Sequence, residues 1–193
     1  MDARPRLLIT MGDVAGIGPE IIAKSWPQLQ LLCRPTVVGD SVWLARTALA
    51  LRLPMRVVPV DSLDDAAADS TVIPLIRGSD QSLDKIVTGQ VSAAAGRAAY
   101  DFLCTAIDLA QAGHAAGIVT APLHKEGLHA TGLRYPGHTE ILAERTGSRE
   151  FGMMLYARGP DLPQGLGVVH VTLHMALRDV RSEERRVGKE CRL

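Results

Sequence analysis

Aromatic side chains are scarce: Phe, Trp and Tyr supply 4% of the 193 residues, while hydrophobic residues as a whole reach 47%. The interior must therefore be built from Ala, Val, Leu and Ile, a composition common in α/β enzymes. No apolar run reaches the roughly 18 residues that a membrane-spanning helix requires. An excess of charge is missing too. Lys and Arg number 21 against 21 Asp and Glu, which leaves no basic footprint for nucleic acid. Met1 to Arg6 is short and polar and lacks the apolar stretch of a secretory signal. The cysteines are Cys33, Cys104 and Cys191, without metal or redox spacing. They are expected to be reduced thiols, and the chain to be cytoplasmic. No internal repeat or low-complexity linker breaks the chain.

What the chain does contain is an alternation of short apolar runs and helical patterns. Arg6 to Thr10 reads as a buried strand, and Pro19 opens a helix through about Leu32. Strands are expected at Thr36 to Gly39, Met55 to Val60, Thr71 to Ile76 and Gly117 to Thr120, with a helix over Ser41 to Ala50. Asp61 to Asp69 is an acidic, alanine-rich connection. The clearest helix is Gly89 to Ala112, where Val91, Ala95, Ala98, Phe102, Ala106 and Leu109 recur every three or four residues. His138 to Thr146 reads as a short helix, and Phe151 to Tyr156 and Gly167 to His174 as the last strands. Alternation of this kind implies an α/β fold with a mostly parallel sheet and helices on both faces.

Four segments carry candidate chemistry. Gly12-Asp13-Val14-Ala15-Gly16-Ile17-Gly18-Pro19 lies between a strand and a helix. It is open to two readings: a phosphate cradle at a helix N-terminus, or a tight turn that needs small residues. It matches neither the dinucleotide fingerprint nor a P-loop, and Asp13 is a candidate to orient the loop. Thr120-Ala121-Pro122-Leu123-His124-Lys125-Glu126 follows the Gly117 to Thr120 strand, where α/β sheets place ligand loops. There Lys125 and His124 are candidate anion contacts, or else solvated loop residues. Tyr135-Pro136-Gly137-His138-Thr139-Glu140 sets an imidazole beside a hydroxyl just after a Pro-Gly turn, so a phosphate could meet both together with free backbone N–H groups. In His170-Val171-Thr172-Leu173-His174, alternate residues of a strand would put His170, Thr172 and His174 on one face. His174 would end that strand as a candidate metal ligand, whereas His170 fits a structural role better. Arg178-Asp179 is either a local ion pair or an anion contact.

Together, MGDVAGIGPEI, TAPLHKEGLHATGLRYPGHTE and HVTLHMALRDV resemble, in order, blocks of the PdxA family, the 4-hydroxythreonine-4-phosphate dehydrogenases of pyridoxal phosphate (vitamin B6) synthesis. The resemblance covers roughly residues 6 to 180. It implies a three-layer, isopropylmalate-dehydrogenase-like α/β fold of two lobes, cut here before its C-terminal part, and a homodimer. It also implies oxidation and decarboxylation of a small phosphorylated hydroxy acid, 4-phosphooxy-L-threonine, with NAD and a divalent metal (Zn, Mg or Co). By this resemblance His138 and Thr139 match the substrate-binding pair, and His174 the first of three metal-binding histidines. The other two belong to segments resembling NPHAGE and YHDQG, which this sequence does not contain. No catalytic residue and no NAD-binding residue is assigned. A close branch acting on 4-phospho-D-threonate or 4-phospho-D-erythronate shares nearly the same motifs. A non-catalytic small-molecule-binding fragment is the alternative from another class.

Residues 181–193 break the pattern. Arg181 to Cys191, RSEERRVGKEC, resembles a translated DNA-sequencing adapter. The expected organisation is therefore an incomplete PdxA-like part over 1–180 and a non-native charged tail over 181–193. Taking the tail's five basic and three acidic residues from 21 of each leaves 16 against 18, a slightly acidic remainder.

Overall fold

A computed structural model describes residues 4–66, 69–170, 176 and 178–180. The chain divides into two compact units, Met1–Gly147 and Ser148–Leu193.

The first unit is a five-stranded parallel sheet between helices. Its strands are β1 (Arg6–Thr10), β2 (Arg34–Gly39), β3 (Arg56–Pro59), β4 (Val72–Arg77) and β5 (Gly117–Thr120), in the spatial order β3-β4-β2-β1-β5. Its helices are α1 (Gly18–Leu32), α2 (Ser41–Ala50), α3 (Ala93–Gln111), α4 (Lys125–Ala130) and α5 (His138–Thr146). The expected three-layer α/β architecture is present.

Apolar runs become strands because both faces of a parallel sheet are covered. Leu8, Val37, Val38, Ile73 and Leu75 are buried on the sheet, and Ile22, Trp26, Leu44, Ala98, Phe102 and Ala106 meet them from the helices. With so few aromatics, Trp26 and Phe102 are the largest fully buried side chains. The Trp26 indole Nε1 donates to the carbonyls of Asp69 (2.9 Å) and Val72 (3.0 Å), tying α1 to the start of β4.

Local chemistry sets the helix starts. Asp40 caps α2 by accepting from the Trp43 N–H at 2.7 Å. Ser92 caps α3 by accepting from the Ala95 N–H at 3.1 Å. That cap moves the start of α3 to Ala93, four residues after the expected Gly89. The short helix α4 was not expected. It holds only two buried residues, Gly127 and Leu128, too few to leave a periodic signal. It lies so close to α3 that a Cβ on Gly96 would fall 2.2 Å from the Gly127 carbonyl carbon.

The second unit corrects the expectation for the last strands. They form an antiparallel pair, β6 (Met154–Gly159) and β7 (Leu162–Val169), joined at Pro160-Asp161 and separate from the parallel sheet. Pro163 and Gly165 within β7 hid it, because both weaken a strand pattern in sequence. His170 follows β7, and its N–H donates to the Met153 carbonyl at 2.8 Å. Strand β7 ends at Val169, and the rest of the expected strand, from residue 171 to His174, falls where nothing is described. Residues 171–175, including Thr172 and His174, lie outside the described residues, as does the tail from 181. Arg178 and Asp179 form the local ion pair, at 3.9 Å.

Candidate functional site

Strand order creates the site. From β1 the chain moves to β2 on one side, and after β4 it returns to place β5 on the other side of β1. The direction of winding reverses at β1. In open α/β sheets, ligands bind outside the carboxyl ends of the strands at such a switch point. Three of the four segments flagged in the sequence meet there.

The first and second segments are joined by backbone bonds. The Ala121 N–H donates to the Thr10 carbonyl at 3.1 Å, and the Asp13 N–H to the Pro122 carbonyl at 2.9 Å. Gly12 makes this approach possible. Its φ is +65°, and a Cβ there would lie 2.3 Å from the Pro122 oxygen and 2.7 Å from the Ala121 oxygen. Of the two readings of the first segment, the tight turn is the one that the geometry supports. Asp13 is buried, and its Oδ1 accepts from the Ala15 N–H at 2.9 Å, so it orients the loop as expected.

The third segment reaches the same edge through His138, whose ring lies close enough to the Ala121 backbone to feel it electrostatically. Burial pushes the His138 imidazole below its usual range, and the nearby Ala121 backbone opposes that shift without cancelling it. The ring is therefore neutral at pH 7. In a neutral imidazole one ring nitrogen carries the hydrogen and the other is an acceptor. Thr139 is half-buried beside it. Both open α5, whose N-cap Gly137 offers no side chain to the first-turn N–H groups. Those donors are left for water or a ligand.

His124 and Lys125 sit at the head of α4, both exposed. The His124 Nδ1 accepts from the Gly127 N–H at 3.4 Å and so caps α4, a structural use that the sequence did not suggest. Sequence reasoning also missed the residues that hold the third segment in place. Tyr100, His129 and Glu144 all contact Tyr135; His129 lies within a motif block but carried no signal of this contact, and Tyr100 and Glu144 stand outside the motif blocks.

Among the described residues, no three His, Cys, Asp or Glu side chains converge to hold a metal ion. The described part thus does not fit the divalent ion implied by the resemblance. Among those residues, no helix is long and apolar enough to cross a membrane.

Comparison with known proteins agrees with this picture. The family described as pyridoxal phosphate biosynthetic protein PdxA matches residues 31–189, so the Gly12 to Gly18 block falls outside that match. A 4-hydroxythreonine-4-phosphate dehydrogenase of Beijerinckia indica is 40% identical over 173 residues, covering 90% of this chain and 49% of the relative. A D-threonate 4-phosphate dehydrogenase of Pectobacterium atrosepticum is 43% identical over 178 residues, covering 89% of this chain and 52% of the relative. The crystal structure of a 4-hydroxythreonine-4-phosphate dehydrogenase from Burkholderia phymatum superposes with a TM-score of 0.84 at 39% identity, covering 97% of this chain and 57% of that one. The chain spans about half the length of the curated relatives it matches. With its parallel sheet, its switch-point edge and these matches, the chain belongs to the PdxA family.

Proposed function

We propose that this chain is the amino-terminal part of an NAD-dependent dehydrogenase that oxidises and decarboxylates 4-phosphooxy-L-threonine in pyridoxal phosphate synthesis. The observation that carries the reading is the meeting of three motif segments at the β1–β5 switch point, with His138 and Thr139 at its mouth.

This chain's share of the work is substrate binding. The Thr139 hydroxyl and the uncapped N–H groups of α5 suit the phosphate. The neutral His138 ring suits a donor instead, namely a substrate hydroxyl or ammonium, because its free nitrogen accepts. Lys125 is the candidate for long-range attraction of the anion, and His124 a weaker one since its Nδ1 caps α4. His174 is proposed as one of the metal histidines. NAD is assigned no residues in this part.

In the organisation we propose, 1–180 is the natural part and 181–193 an adapter-derived tail. The 193-residue chain alone then holds one of three metal histidines and is expected to be inactive, since catalytic zinc-type sites use about three protein ligands. A homodimer, placed in the cytoplasm, is part of the proposal. Met154, Leu155, Tyr156, Leu166, Val168 and Val169 on the β6–β7 pair are each about half or more exposed, an apolar surface that suits a second copy.

The test has two arms. Sequencing the locus past the Val180 codon should reveal a longer reading frame encoding the NPHAGE-like and YHDQG-like segments. The protein from that frame should reduce NAD with 4-phosphooxy-L-threonine while the 193-residue chain does not. Turnover by the short chain, or an intact genome that encodes the tail, would contradict the proposal.

The name and 43% identity of the Pectobacterium relative favour a second reading, oxidation of 4-phospho-D-threonate or 4-phospho-D-erythronate. Rates on the three substrates, compared side by side, separate the two. A non-catalytic binding fragment would bind phosphate yet show no turnover even when extended.

A further inference from the structure

The loop that delivers His138 and Thr139 is fastened by a residue that the proposed chemistry does not use. Tyr135 stands three positions before His138, and its ring stacks on Tyr100 of α3, with centroids 5.9 Å apart and planes 15° from parallel. Its hydroxyl donates to Glu144 Oε1, in the last turn of α5, at 2.8 Å. Its carbonyl lies 3.0 Å from His129 Nε2 of α4, and since a carbonyl only accepts, that nitrogen carries the hydrogen. One residue is thus tied to three helices.

The platform beneath it is itself held. Burial, with Cys104 and Tyr135 close by, raises the Tyr100 phenol far above physiological pH. The Arg97 guanidinium lies 5.8 Å from the Tyr100 ring centre. Arg145 of α5 grips both oxygens of Asp108 of α3, at 2.8 and 3.1 Å, so α5 cannot slide along α3 without breaking a paired bond. Under this layer Leu103, Ile107, Leu128 and Ile141 form a small core of their own. Tyr135 is only half-buried against that core, and its hydroxyl points to an exposed carboxylate. Phe would fill the same space without that bond.

We infer that Tyr135, seated on Tyr100, is a positioning residue: it sets where the His138 imidazole and the Thr139 hydroxyl stand at the β1–β5 edge. The stack fixes the height of the loop over α3, and the Glu144 bond folds the loop back onto the helix it opens. The link to substrate rests on the proposed roles of His138 and Thr139, whereas the geometry does not.

The experiment is a proton NMR titration of the 193-residue chain, with the His138 ring signal assigned through His138→Gln. Four proteins are compared: the unsubstituted chain, Tyr135→Phe, Tyr135→Ala and Leu44→Ala. Leu44 is fully buried in α2, so its truncation supplies a loss of stability away from the loop. In the unsubstituted chain and in Leu44→Ala, His138 should titrate below 6.5, the value for an unperturbed ring. In Tyr135→Ala the ring should leave its buried site and the Ala121 carbonyl, and its midpoint should climb toward 6.5. Tyr135→Phe, which keeps the stack, should move it part of the way. Glu140 is the nearby acidic residue of the first turn of α5, so the comparison is repeated in Glu140→Gln to remove its field. Inorganic phosphate should bind Tyr135→Ala about tenfold more weakly, the order of one or two lost hydrogen bonds. An unchanged His138 midpoint in Tyr135→Ala overturns the inference, and so does an equal shift in Leu44→Ala. If the unsubstituted chain binds no phosphate while the midpoints move as stated, the positioning role stands and the substrate reading falls.

Discussion

Replacing Gly12 by Ala tests whether the seam between β1 and β5 is built as described. Two costs are expected. Gly12 has φ +65°, and a non-glycine residue in the left-handed region costs about 1–2 kcal/mol. The added Cβ would also lie 2.3, 2.7 and 2.9 Å from the Pro122 oxygen, the Ala121 oxygen and the Ala121 carbonyl carbon. These are backbone atoms and cannot swing aside, so the loop from Ala121 must move. Overpacking of this kind costs about 1–3 kcal/mol. The total is about 2–5 kcal/mol. Gly113 provides the matched control, because its φ is +81° and a Cβ there meets nothing within 4 Å. Gly113→Ala incurs the first cost without the second. At about 2–4 °C per kcal/mol for a chain of this size, Gly12→Ala should melt about 2–12 °C below Gly113→Ala. Thermal denaturation followed by circular dichroism measures the gap. Equal melting temperatures for the two variants would refute the close approach of Gly12 to Pro122, and with it the seam.

Other consequences can be checked with the same chain. His138 is depressed by burial, so the unfolded state takes up its proton first as pH falls. Its contribution to stability is whole above about pH 6.5, where the unfolded ring is neutral, and is lost as pH drops through the lower folded value. Melting temperatures between pH 7.5 and 5 should therefore fall less in His138→Gln than in the unsubstituted chain, and parallel curves would count against a buried neutral ring. Ser92→Ala removes the α3 cap and should cost about 1 kcal/mol in urea unfolding, and no loss would mean that α3 starts elsewhere. Trp26→Phe leaves the Asp69 and Val72 carbonyls without their shared donor, which should cost about 1–3 kcal/mol.

Where local chemistry is decisive, the fold was legible in the sequence. The expected bounds of β1, α2, β5 and α5 coincide with those observed. Each is a short run with its own stop, such as Asp40 before α2 or Ala121-Pro122 after β5. Elements that depend on remote partners were not legible. Helix α4 exists because Gly127 packs against Gly96, and β7 because it pairs with β6 despite Pro163 and Gly165. The site divides in the same way. His138 and Thr139 stand in one contiguous motif and could be read directly. The approach of His138 to Ala121 could not be read, because it depends on β5 crossing to the far side of β1. Nor could the Tyr100–Tyr135 stack, which joins residues on separate elements. Composition correctly pointed to an aliphatic core, but it did not show that Trp26 and Phe102 would anchor it.

The most direct measurement of the central claim is a titration of the isotopically labelled 193-residue chain with 4-phosphooxy-L-threonine, followed through its backbone amide and histidine ring signals. The account predicts that the first signals to move belong to His138, Thr139 and Glu140, the opening turn of α5, followed by the Thr120 to Lys125 segment. Movement confined to other parts of the molecule, with the α5 opening unchanged at saturation, would contradict it.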